Sequence, residues 1–170
     1  MIQNKSSISP LIQGDFLSGW LGIRRAPTAN ALEVNGDASK TTAGSWLANS
    51  DKRIKTEITE ITKAKETLLK LRPVSFRYSK EWISKNPNIE DKVYYNFIAQ
   101  EFKEVFPESV KGSGEYIDGD NEEILQLDSY NAQIISIKAV QELITENIQL
   151  QKEIENLKSE IEAIKAIISK

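Results

Sequence analysis

Apolar and polar positions follow three different rhythms along the chain. Near its end, Val140, Leu143, Asn147, Leu150, Ile154, Leu157, Ile161, Ile164 and Ile168 recur at alternating three- and four-residue steps. That is a heptad seam, with Val140, Asn147, Ile154, Ile161 and Ile168 at a, and Leu143, Leu150, Leu157 and Ile164 at d. A seam of this length predicts one long helix, about residues 136–169, forming a parallel coiled coil. It leaves the number of chains open. Ile at a with Leu at d leans towards two strands and Ile at both towards more, while Asn147 at a sets register at some cost in stability.

Upstream, Ile54, Ile58, Ile61, Leu68 and Leu71 recur at three- and four-residue steps or their multiples. This spacing predicts a helix that starts at Asp51 and is stopped by Pro73. "PVSFRYS" then reads as a strand and "VYYNFIA" as a second, buried one. "QEFKEVF" reads as a short helix ended at Pro107, and "EYIDGDNEEILQLD" as a hairpin turning near Asp118-Gly119. Residues 1–49 have a third character: short runs punctuated by "QGDF", "SGW", "RAPTAN" and "VNGDASKTTAGSW". There the alternating "ALEV" leads into Asn35-Gly36-Asp37, a hairpin-type turn signal. The predicted class is α+β: a short β segment, a helix, small sheets or hairpins, and the long C-terminal helix.

Charge sharpens the division. Of the 22 basic and 25 acidic residues, only Lys5, Asp15, Arg24, Arg25, Glu33, Asp37 and Lys40 precede Ser50. The first 49 residues carry too little apolar content to make a core alone and read as the end of an extended β structure completed by other chains. Residues 50–170 form the second expected domain. At 39% hydrophobic and 28% charged, the chain as a whole can bury a core. Its net charge of −3 gives no basic nucleic-acid footprint. No apolar run approaches the roughly 20 residues that span a bilayer. Neither nucleic acid nor membrane is therefore an expected partner.

The chain has no cysteine and no histidine. Disulfides, thiol nucleophiles, histidine triads and Cys/His zinc sites are excluded, and no metal or cofactor is expected. Hydroxyls, lysines and carboxylates remain. Three places compete for them. Asp118–Glu123, "DGDNEE", lacks the sixth-position glycine and ligand spacing of a calcium loop, so a hairpin turn is the better reading. Trp46, Tyr94, Tyr95 and Phe97 could make a sugar or base platform, but with no basic patch beside them they read as core and interface packing. The third is "NSDKRIK". In its structural reading Ser50 caps the helix, Asp51 sits in the first turn, and Lys55 pairs with Asp51. In its chemical reading Ser50 is a nucleophile and Lys55 its base. Five residues on a continuous helix rotate about 140°, so Ser50 would have to lie off the helix for Lys55 to reach back. Asp51 would then point away from Lys55, since a carboxylate beside the amine holds it charged. First-turn N–H groups, or those of a neighbouring chain, could hold an oxyanion at the Asn49 carbonyl.

Several blocks, in order, resemble the self-cleaving intramolecular chaperone domain at the C-terminus of phage tailspikes, tail fibres and neck appendages, best known from endosialidases. "SDKRIKTEI" is similar to the cleavage motif, "LLKLRPVSFRY" to the Leu-Arg-Pro-Val strand entry, and "YNFIAQEFKEVFPESV" to the Phe-Ile-Ala-Gln-Glu block. "LQLDSYNAQIISIKAVQEL" is similar to the lead into the final helix, and "NALEVNGDASKTTAGSWLA" to the fibre sequence that precedes such domains. The resemblance implies a homotrimer, and self-cleavage at Asn49–Ser50 by a Ser50–Lys55 dyad. Its partner would be the upstream fibre segment of the same polypeptide. It also implies synthesis in a host cytoplasm, a place in the virion for the fibre, and release of the helper fragment. The competing expectation is a non-cleaving trimerisation module of a fibre or adhesin. Gln100 and Glu101 lie in a matched block without an assigned role.

Overall fold

A computed structural model describes residues 11–169, so the reading of Met1–Pro10 lies outside the described residues. The order of elements is β1 (Ile12–Asp15), β2 (Trp20–Ile23), β3 (Leu32–Val34), α1 (Ala64–Leu68), β4 (Val74–Phe76), α2 (Lys80–Lys85), β5 (Tyr94–Asn96), α3 (Ala99–Val105), β6 (Val110–Tyr116), β7 (Glu123–Leu127) and α4 (Tyr130–Ile168). The fold is α+β, with small sheets and a long C-terminal helix. It divides into two compact units, one of residues up to Glu57 with Arg72–Leu127, the other of Ile58–Leu71 with Asp128 onwards. The expected divide at Asn49–Ser50 falls inside the first unit.

In the first unit, β1 and β2 pair antiparallel, and β3 joins β2 in parallel. Two further ribbons, β4–β5 and β6–β7, are antiparallel. The hydrophobic centre is on α3. Phe102 and Phe106, four residues apart and so on one helix face, are 1% and 6% exposed. The Phe102 ring lies 5.0 Å from that of Phe97 and 5.2 Å from that of Phe106. Pro107, with no N–H to donate, opens a 3-10 turn that ends the helix where the sequence placed its stop. A second cluster joins Phe76, Tyr78 and Tyr94. Phe76 and Tyr94 are cross-strand partners on β4 and β5, and the Tyr78 ring meets each at 5.2 Å.

The second unit packs α1 on α4. Small side chains let the two helices approach: Ala64 is fully buried and Ala139 3% exposed. The helix α1 has no capping side chain of its own, since Lys63 precedes it in a left-handed conformation. Glu142 of α4 supplies the cap, accepting from the Ala64 and Lys65 N–H groups at 3.2 Å each. Ion pairs Lys65–Glu146 and Lys138–Glu60 flank it.

Three sequence expectations change. The helix from Asp51 to Leu71 shrinks to one 3-10 turn, Lys52–Ile54, and the short α1. The reason lies in Thr56, Ile58, Thr59, Ile61 and Thr62. These β-branched residues lower helix propensity, and Glu57 and Lys63, at φ 52° and 55°, break the helical path. The strand β5 is not buried, with Tyr95 81% exposed. Asn35-Gly36-Asp37 is a bend rather than a hairpin: β3 pairs in parallel with β2, and the chain runs on without another strand until Val74. The helix α2, capped by Ser79 through the Trp82 N–H at 3.1 Å, was not foreseen.

Candidate active site

The chain around Ser50 is open. Every residue from Gly36 to Lys63 is exposed, and the only helical geometry in that run is the 3-10 turn. Asp51, with φ −68° and ψ 138°, caps this turn by accepting from the Arg53 N–H at 2.8 Å. Asp51 is therefore the cap, and Ser50, one residue earlier, is not. The Ile54 and Lys55 N–H groups donate to the Asp51 and Lys52 carbonyls at 3.1 and 3.2 Å, closing a tight turn. Lys55 then leaves in extended conformation.

That turn brings Lys55 back on Ser50. Lys55 Nζ and Ser50 Oγ are 2.6 Å apart, a strong hydrogen-bond distance. An ammonium donates to Oγ in this geometry, and a neutral amine accepts from the same hydroxyl. The five-residue offset is thus bridged by a 3-10 turn and an extended residue rather than by a side chain leaning back along an α-helix.

Asp51 does not pair with Lys55. Its carboxylate is taken by the Arg53 guanidinium, Nε to Oδ1 at 3.0 Å and Nη2 to Oδ2 at 2.8 Å. The guanidinium, with the Arg53 N–H, holds the Asp51 carboxyl below its ordinary range, and Asp51 in turn raises Arg53. The expectation that Asp51 faces away from the amine agrees with this pairing. The expected first-turn oxyanion donors do not: there is no α-helix here, and the Arg53, Ile54 and Lys55 N–H groups are already engaged.

The other candidates disperse. Trp46 is 77% exposed, with Lys40 Nζ 5.8 Å from its ring centre. Tyr94 belongs to one aromatic cluster and Phe97 to the other, so no platform forms. Asp118–Glu122 lies in the turn of the β6–β7 hairpin and Glu123 opens β7, with Gly119 at φ 80° and Asp118 paired to Lys85 at 2.6 Å. Glu101 binds Arg72, Nε to Oε2 at 3.0 Å, which ties the Leu-Arg-Pro-Val block to the Phe-Ile-Ala-Gln-Glu block structurally.

The sequence reading missed Glu33. It is 7% exposed and accepts from the Thr28, Ala29 and Asn30 N–H groups at 3.1, 2.6 and 2.7 Å, and from Arg25 at 2.9 Å. Burial pushes its carboxyl up, but the three N–H donors and the guanidinium overrule burial and hold it at about 2. The available signal was its position, the one acidic residue of the alternating "ALEV" run in a stretch nearly free of charge.

Residues 50–111 match the family described as chaperone of endosialidase, which is named as a peptidase family. The match starts at Ser50 and takes in the first three resembling blocks. It supports an intramolecular chaperone role and, with it, association with an upstream segment of the same polypeptide.

Proposed function

We propose that this chain assembles as a homotrimer through α4, templates the upstream fibre segment of residues 1–49, and then cuts itself once between Asn49 and Ser50. The single observation carrying the chemistry is the 2.6 Å contact between Lys55 Nζ and Ser50 Oγ. In the proposed reaction neutral Lys55 takes the Ser50 hydroxyl proton as Oγ attacks the Asn49 carbonyl carbon. The tetrahedral intermediate collapses by breaking the C–N bond, and the Lys55 ammonium returns the proton to the leaving Ser50 nitrogen. The resulting ester between the Asn49 acyl group and Ser50 Oγ is hydrolysed by water. One water is consumed, Asn49 gains a carboxylate and Ser50 a free amine. The oxyanion donors are assigned to a neighbouring chain, since the Arg53, Ile54 and Lys55 N–H groups are engaged within the turn.

Assembly is the natural trigger. In one chain Ser50 and Lys55 are solvent-exposed, which leaves water beside the reacting bond. The seam of α4 is uncovered too, from 49% exposed at Ile161 to 78% at Ile168. Ile137 and Ile144, 60% and 55% exposed at e positions, widen the apolar face beyond a narrow two-stranded seam. A third chain covers such a face, and the helices raise the local concentration of the segments they carry. The parent fibre belongs in a virion appendage and is made in a host cytoplasm. Loss of the helper after the cut would leave the fibre kinetically trapped.

Intact-mass spectrometry of freshly expressed wild type and Ser50→Asn tests the reading. Wild type should yield a fragment beginning Ser50-Asp51-Lys52, and Ser50→Asn should stay full length. An assembled wild type that remains one full-length species favours the alternative, a non-cleaving trimerisation module.

A further inference from the structure

Within the first unit, the loop between β2 and β3 is fitted to the β6–β7 hairpin. Thr28 Oγ1 donates to the Ser113 carbonyl at 2.7 Å, and Arg25 pairs with Glu115 at 3.2 Å. Between them Gly114 stands at φ 75°, and a Cβ there would come within 2.5 Å of Thr28 Cβ. Only glycine gives the hairpin both this backbone and this hollow. The loop arrives already shaped, because Glu33 clamps three consecutive N–H groups inside it. The covalent path from this loop to the hairpin runs through the exposed stretch 36–63, to which none of these residues belongs. Hydrolysis at Asn49–Ser50 therefore removes none of the contacts.

We infer that this loop and hairpin form a latch that keeps the upstream segment docked on the 50–170 fragment after the cut, so that cleavage and release are separate steps. The inference rests on the self-cleavage reading above. The latch contacts are polar and few. Beside them a cavity of about 830 Å³ opens among Leu32, Val34, Phe76, Trp82 and Leu125, so little apolar packing reinforces them. Such a junction holds at rest and yields when one side is pulled away or refolds.

The test uses the full chain, tagged at its N-terminus, with Ser50→Ala and a site-specific protease sequence replacing Thr41–Gly44 in the exposed stretch. After the added protease has cut, the two pieces should leave a gel-filtration column together at micromolar concentration. Thr28→Val with Glu115→Ala should weaken that retention about tenfold or more, as the loss of one neutral and one charged hydrogen bond predicts. Immediate parting of the unsubstituted pieces would overturn the latch, as would undiminished retention in the double variant. Self-cleavage is read separately, on the chain with Ser50 intact and no protease added. Its failure there would overturn the dyad and leave the retention result standing.

Discussion

At the residue scale, Ser50 and Asp51 divide two roles that the sequence had merged. Asp51 holds the turn and Ser50 holds only Lys55. Ser50→Ala should therefore change stability by no more than about 0.5 kcal/mol in a urea titration, as for other exposed positions. The cap is a different matter. Asp51→Ala removes the acceptor that closes the turn carrying Lys55, so cleavage should slow several-fold in a timed gel assay. Asp51→Asn keeps a capping oxygen and loses only an exposed ion pair, so it should cleave close to the wild-type rate. Lys55→Arg should abolish the cut, because a guanidinium cannot give up its proton. Glu33 is the buried carboxyl of the first unit whose depression makes folding acid-sensitive. Its carboxyl faces Arg25, whose Nη2 also pairs with Glu115, and is depressed from 4.5 to about 2. A depressed carboxyl contributes stability that is complete above the unfolded value and fades as pH falls towards the folded one. Urea midpoints should therefore be flat in this contribution above pH 5 and fall between about pH 4.5 and 2. Glu33→Gln should lower the midpoint at pH 7 and flatten that fall.

At the element scale, the strongest patterns were the most legible. The heptads placed α4, Pro107 ended α3, and Asp118-Gly119 turned the β6–β7 hairpin, because each is set by local chemistry. The helix expected from Asp51 failed where spacing and propensity disagreed: the isoleucines had helical steps, but the threonines between them favour extended chain. The motif singled out Ser50 and Lys55, whose side chains meet at 2.6 Å, yet the turn that joins the two was not legible, since a 3-10 turn leaves no apolar period. Glu142 capping α1 was not legible either, because the cap comes from an element more than 70 residues away. Removing the Phe102 side chain, at the centre of α3's packing, should cost about 3–5 kcal/mol of unfolding free energy, measured in denaturant. On α4, Leu150→Asp with Leu157→Asp should dissociate the assembly in analytical ultracentrifugation, since each carboxylate would be desolvated without a partner. Cleavage should stop in the same variant.

At the scale of the whole molecule, the chain combines small sheets with a long helix whose apolar seam is uncovered, and Ser50 and Lys55 are exposed. Wild type should sediment at three times its 19.2 kDa, and the onset of cleavage should depend on concentration even though each cut is within one chain. The exposed stretch from Gly36 to Ser50 has a topological consequence. It is a thread between the two pieces that the proposed cut would make, and in the proposed trimer three such threads run in parallel. One intact thread is enough to keep helper and fibre tied, however many others are severed. Separation is then a unanimous vote, and an uncut chain acts as a dominant veto. If wild-type and Ser50→Ala chains mix at random in equal amounts, about one trimer in eight has all three threads cut and becomes releasable once its latches yield, the cube of the competent fraction rather than the fraction itself.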